Sequence, residues 1–333
     1  MWFEELFGFV ENGEPQAVRA LLELDGDRLR SRANDREVGC GRLELLSLAE
    51  LRERGAGSGL EGSGSCSQVR ERVAGVQALH ANPDHAGALF QAASQFNLLE
   101  MKGPSVTPEE GVGIYEYDHT QGPACAIACG GGTVYRNYFV PLGEQLGQSA
   151  ERQIDCLADL GERLDNRGER LWTMRNGYAL ATGEGLHEIA SQLTNISDAE
   201  HDSLRASLRI GVHWDVEVTH SDAGHGVTQV YGSALPVAYS QHSPREWEPF
   251  ARLILEASYE ATLWAAALNA QATGSSKVFL TLLGGGAFGN DLAWITDALE
   301  HAIARTPVQG LDLMLVSYGH ANPAIGDWLR RWP

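Results

Sequence analysis

Hydrophobic positions along the chain follow two periods, and their succession outlines an α/β protein. Residues 278–283 (VFLTLL) are apolar at five of six positions, as in a buried strand, and stop at Gly284-Gly285-Gly286. Gly289-Asn290 follows, and Asn290 or Asp291 is placed to cap a helix. In that helix Leu292, Ile295, Leu299 and Ile303 recur at three- and four-residue spacing, which is one buried face. Residues 210–218 alternate cleanly, with Ile210, Val212, Trp214, Val216 and Val218 opposite Gly211, His213, Asp215 and Glu217, and predict a half-buried strand. Strands are also expected over 69–79, 87–93, 227–231 and 311–318. Helical spacing marks 15–24, 154–164, 186–193 and a strong helix beginning at Pro249, where proline suits the first helical position. Gly130-Gly131-Gly132 predicts a turn before a strand at 133–140 (TVYRNYFV).

Strands alternating with helices in this way predict a three-layer α/β domain. Residues 55–67 (GAGSGLEGSGSCS) interrupt the pattern with a Gly/Ser stretch of linker composition. That divides the chain into an N-terminal α/β extension, 1–67, and a functional domain, 68–333. The aromatic cluster Trp2, Phe3, Phe7 and Phe9 is expected to pack on the main body.

Composition narrows the possible partners. A formal charge of −19 excludes general binding to nucleic acid or anionic membranes, and leaves a small anion held by backbone groups. No apolar run approaches the roughly 20 residues of a membrane span. The acidic start lacks a signal-peptide pattern, and five scattered cysteines are expected to be reduced thiols in a cytoplasmic protein.

Two stretches carry candidate chemistry. The strand, glycine turn and helix start at 278–292 make an anion site, since glycine admits close backbone approach and free N–H groups point at the ligand. The bland alternative is a tight turn with glycines for sterics alone. The second stretch is the long loop 95–123, which gathers Glu100, Glu109, Glu110, Glu116 and Asp118 around one lysine, Lys102. Loops of this length in a compact domain are usually functional. His213, Asp215, His220, Asp222 and His225 form no convergent ligand set, so no metal and no cofactor are assigned.

The segment LTLLGGGAFGND, followed by a helix, resembles the diphosphate-binding loop of poly(ADP-ribose)-glycohydrolase-like macrodomains, and ALFQAASQFN resembles the strand and turn that open their catalytic loop. FNLLEM, TPEEGV, YEYDHTQGPACA and TVYRNYF resemble the MavL-type branch, which removes ADP-ribose from arginine. The likeness spans roughly residues 69–320, and the GGG-x-QEE signature of poly(ADP-ribose) glycohydrolases is absent. The resemblance implies a three-layer α/β/α macrodomain with a mixed central sheet behind an N-terminal extension. Its partner would be ADP-ribose on a modified protein, and its reaction hydrolysis of the C1″ N-glycosidic bond to arginine. A non-catalytic ADP-ribose reader and a hydrolase of a free ADP-ribose-derived metabolite are the alternatives.

For that chemistry Asp118 is the first catalytic candidate, ahead of Glu110 and Glu109, then Glu116. Ser94, Asn97, Glu100 and Gln121 are assigned to the ligand from the first loop, Asn97 and Glu100 to its distal ribose. Gly284, Gly285, Gly286, Ala287 and Gly289 would offer N–H groups to the diphosphate, with Phe288 against the ribose and Asn290 against a phosphate. Tyr318 is either an adenine-stacking residue or an aromatic plug at the sheet edge.

Overall fold

The computed structural model describes residues 1–60 and 68–331. Its frame is a seven-stranded sheet made of β1 (Arg42–Ser47), β2 (Gln68–Val73), β3 (Leu89–Ala93), β4 (Arg209–Glu217), β5 (Gly226–Gly232), β6 (Lys277–Leu280) and β7 (Asp312–Ser317). The spatial order is β1-β4-β5-β3-β6-β7-β2. β4 is antiparallel to both its neighbours, and the other pairs are parallel, so the sheet is mixed.

The helices used below are α1 (Trp2–Phe7), α2 (Leu48–Gly57), α3 (Val76–Ala81), α4 (Gln121–Ala128), α5 (Gly130–Tyr138), α6 (Gly183–Thr194), α7 (Pro244–Thr273), α8 (Leu292–Arg305) and α9 (Pro323–Arg331). They flank the sheet on both sides, giving three α/β/α layers. The central strand β3 shows why both faces must be covered. Phe90 stacks on His80 of α3 and on Phe279 of β6, at 3.7 and 4.5 Å between ring centres. Its neighbour Gln91 points the other way and donates to Thr262 Oγ1 of α7 at 3.1 Å. A strand buried on both faces reads as a continuous apolar run, as 278–283 does.

Several sequence expectations change in the folded chain. α7 starts at Pro244, because Ser243 and Glu246 form a capping box there; Pro249 lies inside the helix and costs it one N–H. Residues 130–138 are helix rather than turn and strand. A Cβ on Gly131 would lie 2.7 Å from Gly39 O, and one on Gly132 2.6 Å from Val216 Cγ2, so these glycines let α5 sit tightly on its neighbours. Residues 69–79 divide into strand β2 and helix α3, and the helix over 15–24 ends at Leu21, where a strand begins. In 154–164 only Ala158–Arg163 is α-helix. The Gly/Ser stretch supplies the end of α2 at 55–57, while 61–67 lie outside the described residues.

The N-terminal region is woven into the domain. β1 pairs with β4 from Ser47↔Arg209 to Arg42↔Trp214, so a boundary at 67 would part an edge strand from its sheet. Ahead of it, α1 and a small antiparallel sheet (Leu22–Asp25, Arg28–Ser31, Glu37–Gly39) build a second apolar core. In that core Phe3, Phe7 and Val38 pack with Met101, Val112 and Tyr115 of the long acidic loop. Among the described residues no helix is long and apolar enough to cross a membrane. Cys40, Cys125, Cys129 and Cys156 are buried free thiols.

Candidate active site

Past the C-terminal ends of β3 and β6 the chain opens a cleft of about 230 Å³. Crevices at this end of parallel strands are the usual ligand sites of α/β sheets. One wall is the glycine turn after β6, and the other is the loop after β3 together with the start of α4.

The glycine turn is folded by its own backbone. Gly284 and Gly289 take left-handed conformations, φ +73° and +71°. Gly285 N–H donates to Leu282 O, Gly289 N–H to Gly286 O and Asn290 N–H to Gly284 O, at 2.9, 3.0 and 3.0 Å. Among the described residues the N–H groups of Gly284, Gly286, Ala287 and Phe288 have no protein acceptor, and these four residues line the cleft. Four residues with unspent donors along one cavity wall can serve as an anion-binding nest. Asp291 caps α8 through Ala293 N–H at 2.8 Å.

Asn290 lies behind this turn. Its buried Nδ2 donates to Leu235 O at 2.8 Å, so it braces the loop. Gly285 is also off the cleft: an added Cβ would meet Ile295 Cδ1 at 3.0 Å, whereas one on Gly286 would meet nothing within 4 Å. At Gly289 a Cβ would lie 2.9 Å from Ala238 Cβ, and this close approach brings Tyr239 against Phe288. Tyr178, Tyr239 and Phe288 then form an aromatic wall with ring centres 5.3 to 5.6 Å apart.

The opposite wall is held by buried Arg136. Its Nε donates to Leu98 O at 3.1 Å and its Nη2 to Thr133 Oγ1 at 3.0 Å, while its guanidinium lies 3.7 Å over the Tyr231 ring. Asn97 is wholly buried, donating to Gln153 Oε1 at 2.7 Å and accepting from Leu99 N–H at 3.1 Å. It shapes the loop and does not line the cleft. Ser94 does line it, with its hydroxyl donating to Gln95 O at 3.0 Å.

Glu100 faces the cleft with 5% of its surface exposed, and its Oε1 has no partner among the described residues. Burial pushes its carboxyl well above the usual range; Arg136 opposes the shift and Asp118 adds to it. Gly122 lets α4 close over it, since a Cβ there would lie 2.3 Å from Ala93 O and 2.6 Å from Glu100 Oε2. Asp118 also lines the cleft, half-buried, and accepts from Thr120 N–H at 2.9 Å.

The other acidic candidates lie elsewhere. Glu109 accepts from Ala150 N–H at 2.8 Å, Glu110 is exposed, and neither lines the cleft. Glu116 accepts from Trp2 N–H at 3.2 Å and borders a second, more open cleft of about 650 Å³. Asp118, Thr120 and Gln121 border both clefts. Tyr318, 66% exposed, lines the second one only. The histidines and aspartates of 213–225 do not converge: His213 is buried on Arg136 Nη1 at 3.1 Å, and Asp222 pairs with Arg36 at 2.5 Å.

Tyr178, Tyr239 and Lys102 line the cleft without having been assigned to it from sequence. Asn176-Gly177 between Trp172–Arg175 and Tyr178–Ala181 is a hairpin signal that locates Tyr178 locally. Its arrival at the cleft depends on Tyr178 Oη donating to Met101 O at 2.7 Å, a contact 77 residues away in sequence.

No family model matches the chain. No curated protein matches it either. Among solved structures it is similar to the poly(ADP-ribose) glycohydrolase of Thermomonospora curvata, with 16% identity and a TM-score of 0.45 over 95% of this chain and 96% of that one. It is also similar to the Deinococcus radiodurans poly(ADP-ribose) glycohydrolase in complex with ADP-ribose, with 14% identity and a TM-score of 0.46 over 86% and 93%. At these scores neither substrate nor reaction transfers from those proteins to this chain.

Proposed function

We propose that the chain is a macrodomain-type ADP-ribosylhydrolase that binds ADP-ribose in the cleft between the 94–122 and 284–288 segments. One observation carries this reading: four residues of the glycine turn with unspent N–H groups line the same cavity as two carboxyl residues, Glu100 and Asp118. The turn suits a diphosphate, whose charge the backbone dipoles accept without a lysine or arginine clamp. Phe288 and Tyr178 then flank the distal ribose, and Gln121 lies on the way to the second cleft, where Tyr318 is available to the adenine.

Cleavage at C1″ builds positive charge on the ribose ring. In this hypothesis the Asp118 carboxylate faces that charge and orients the attacking water. Glu100, whose burial raises its carboxyl well above the usual range, hydrogen-bonds a ribose hydroxyl. We further assign the leaving group as arginine on a modified protein. The support is the likeness of YEYDHTQGP to the arginine-specific branch and the Asp118 carboxylate on the cleft wall, which a cationic guanidinium would pair with.

Calorimetry with ADP-ribose, ADP and AMP tests the ligand, and absence of binding by all three overturns the proposal. Proteins carrying ADP-ribose on arginine, serine or glutamate, offered in the presence of EDTA, test the linkage. Release from arginine is expected. Release from the glutamate ester alone would refute the arginine assignment, and tight binding with no release from any linkage would make the protein a reader.

A further inference from the structure

We propose that the N-terminal segment is an intramolecular brace of the reactive loop, with Glu11 as its positioning residue; this rests on the hydrolase reading above. Glu11 lies 101 and 102 positions from Val112 and Gly113 of the loop, yet its carboxylate is spent on them. Oε1 accepts from Val112 N–H at 3.0 Å and from Tyr138 Oη–H at 2.8 Å, and Oε2 accepts from Gly113 N–H. Among the described residues Glu11 forms no ion pair with a lysine or arginine, so these donors are its compensation for burial. Burial raises its carboxyl above the ordinary value, and the same hydrogen bonds work against that rise. A Cβ on either Gly111 or Gly113 would lie 2.7 Å from Oε2, so both glycines are needed for the carboxylate to reach the amides.

The clamp bears on the cleft through one short 3-10 turn, Gly113–Tyr117, which begins at Gly113. Inside it, Tyr115 Oη accepts the backbone N–H of Glu100 at 2.9 Å. At its end, Asp118 N–H donates to Tyr115 O at 3.1 Å. Both cleft carboxyl residues therefore hang on a turn whose first residue Glu11 holds. α1 fastens the same turn from outside: Trp2 N–H donates to Glu116, and Phe3 packs in one apolar cluster with Val112 and Tyr115. Misplacing a reactive group by about 1 Å costs on the order of 10²-fold in rate, so such a brace acts on turnover before it acts on affinity.

The test uses the full-length chain. Glu11→Gln keeps the side chain's size but turns one acceptor into an NH₂ group, which Val112, Gly113 and Tyr138 cannot all satisfy. Tyr138→Phe removes one donor only and is the milder variant. Glu11→Gln should lower kcat on the ADP-ribosylated substrate by about 10-fold or more, and Tyr138→Phe by about 3-fold, with the Kd for ADP-ribose within about 3-fold of the wild type. Amide hydrogen exchange over 110–120 should accelerate while β3 and β6 stay protected. Unchanged kcat with unchanged exchange over 110–120 would overturn the brace. So would a parallel loss of kcat, binding and core-strand protection, which is the pattern of general destabilisation. If the wild-type chain releases ADP-ribose from no linkage, the hydrolase reading fails and exchange alone decides: faster exchange over 110–120 supports the brace, and unchanged exchange ends it.

Discussion

The chain contains two runs of three glycines, and the fold puts them to opposite uses. Gly130-Gly131-Gly132 opens helix α5 and is buried. Its missing side chains make room for Gly39 O and Val216 Cγ2, within 2.7 Å of where Cβ atoms would stand. Gly284-Gly285-Gly286 is a turn that emerges to the surface: a Cβ on Gly284 would lie 2.4 Å from Ala234 Cβ, while one on Gly286 would meet open space. No residue of the first run has positive φ, whereas Gly284 has φ +73°. Glycine thus serves close packing in one place and backbone presentation in the other. The composition of the run does not distinguish them. What differs is that every glycine of the first run is covered by neighbouring chain, whereas the second run ends at Gly286 with nothing above it.

Substitutions at the two runs should therefore fail in different ways. The largest effect is expected for Gly286→Glu, which puts a negative charge among the free N–H groups. Like-charge juxtaposition costs several kcal/mol, so ADP-ribose affinity should fall on the order of 10³-fold with the melting temperature almost unchanged. Calorimetry beside a thermal melt checks it, and retained binding would remove the diphosphate from this turn. Asp118→Ala, on the facing wall, should lower the rate by about 10²-fold while ADP-ribose still binds, measured by single-turnover release and titration. Full activity of that variant would exclude Asp118 from the reaction.

Gly131→Ala tests the packed run. Helix propensity alone would favour alanine by about 1 kcal/mol, but overpacking against the Gly39 carbonyl costs about 1–3 kcal/mol and should leave a net loss of up to about 2 kcal/mol in urea unfolding. Gly286→Ala in the same assay should be near neutral, and equal losses at both positions would erase the contrast.

The smallest effect is a slope. Glu100 is protonated in the folded state at pH values where the unfolded carboxyl, near 4.5, has ionised. Stability contributed by this group therefore falls as pH rises above that value, and levels off once the folded carboxyl ionises. Glu100→Gln should remove that share of the pH dependence, at most about 1.4 kcal/mol per pH unit, seen by comparing unfolding midpoints across the window. Parallel pH curves for variant and wild type would show that the burial of Glu100 has no energetic consequence.

Local pattern in the sequence determined the elements that need no distant partner. The run 278–283, the glycine turn behind it and the Asp291 cap are set by apolar period, glycine conformation and a side chain two residues from its acceptor. The alternation of 210–218 marked a strand in the same way, though Gly211 and His213 on its second face are also buried, because Leu98 covers the first and α5 the second. Only the tertiary structure decided which acidic residues meet. Glu109 is drawn off by Ala150 N–H and Glu116 by Trp2 N–H, while Glu100 is sealed into the cleft by the approach of Gly122. It also decided that 42–47 joins the main sheet and that 130–138 coils into helix. A carboxylate's position depends on which donors reach it, and for Glu116 that donor lies 114 residues away in sequence. Periodicity reports which faces of an element are buried, but it carries no record of what buries them.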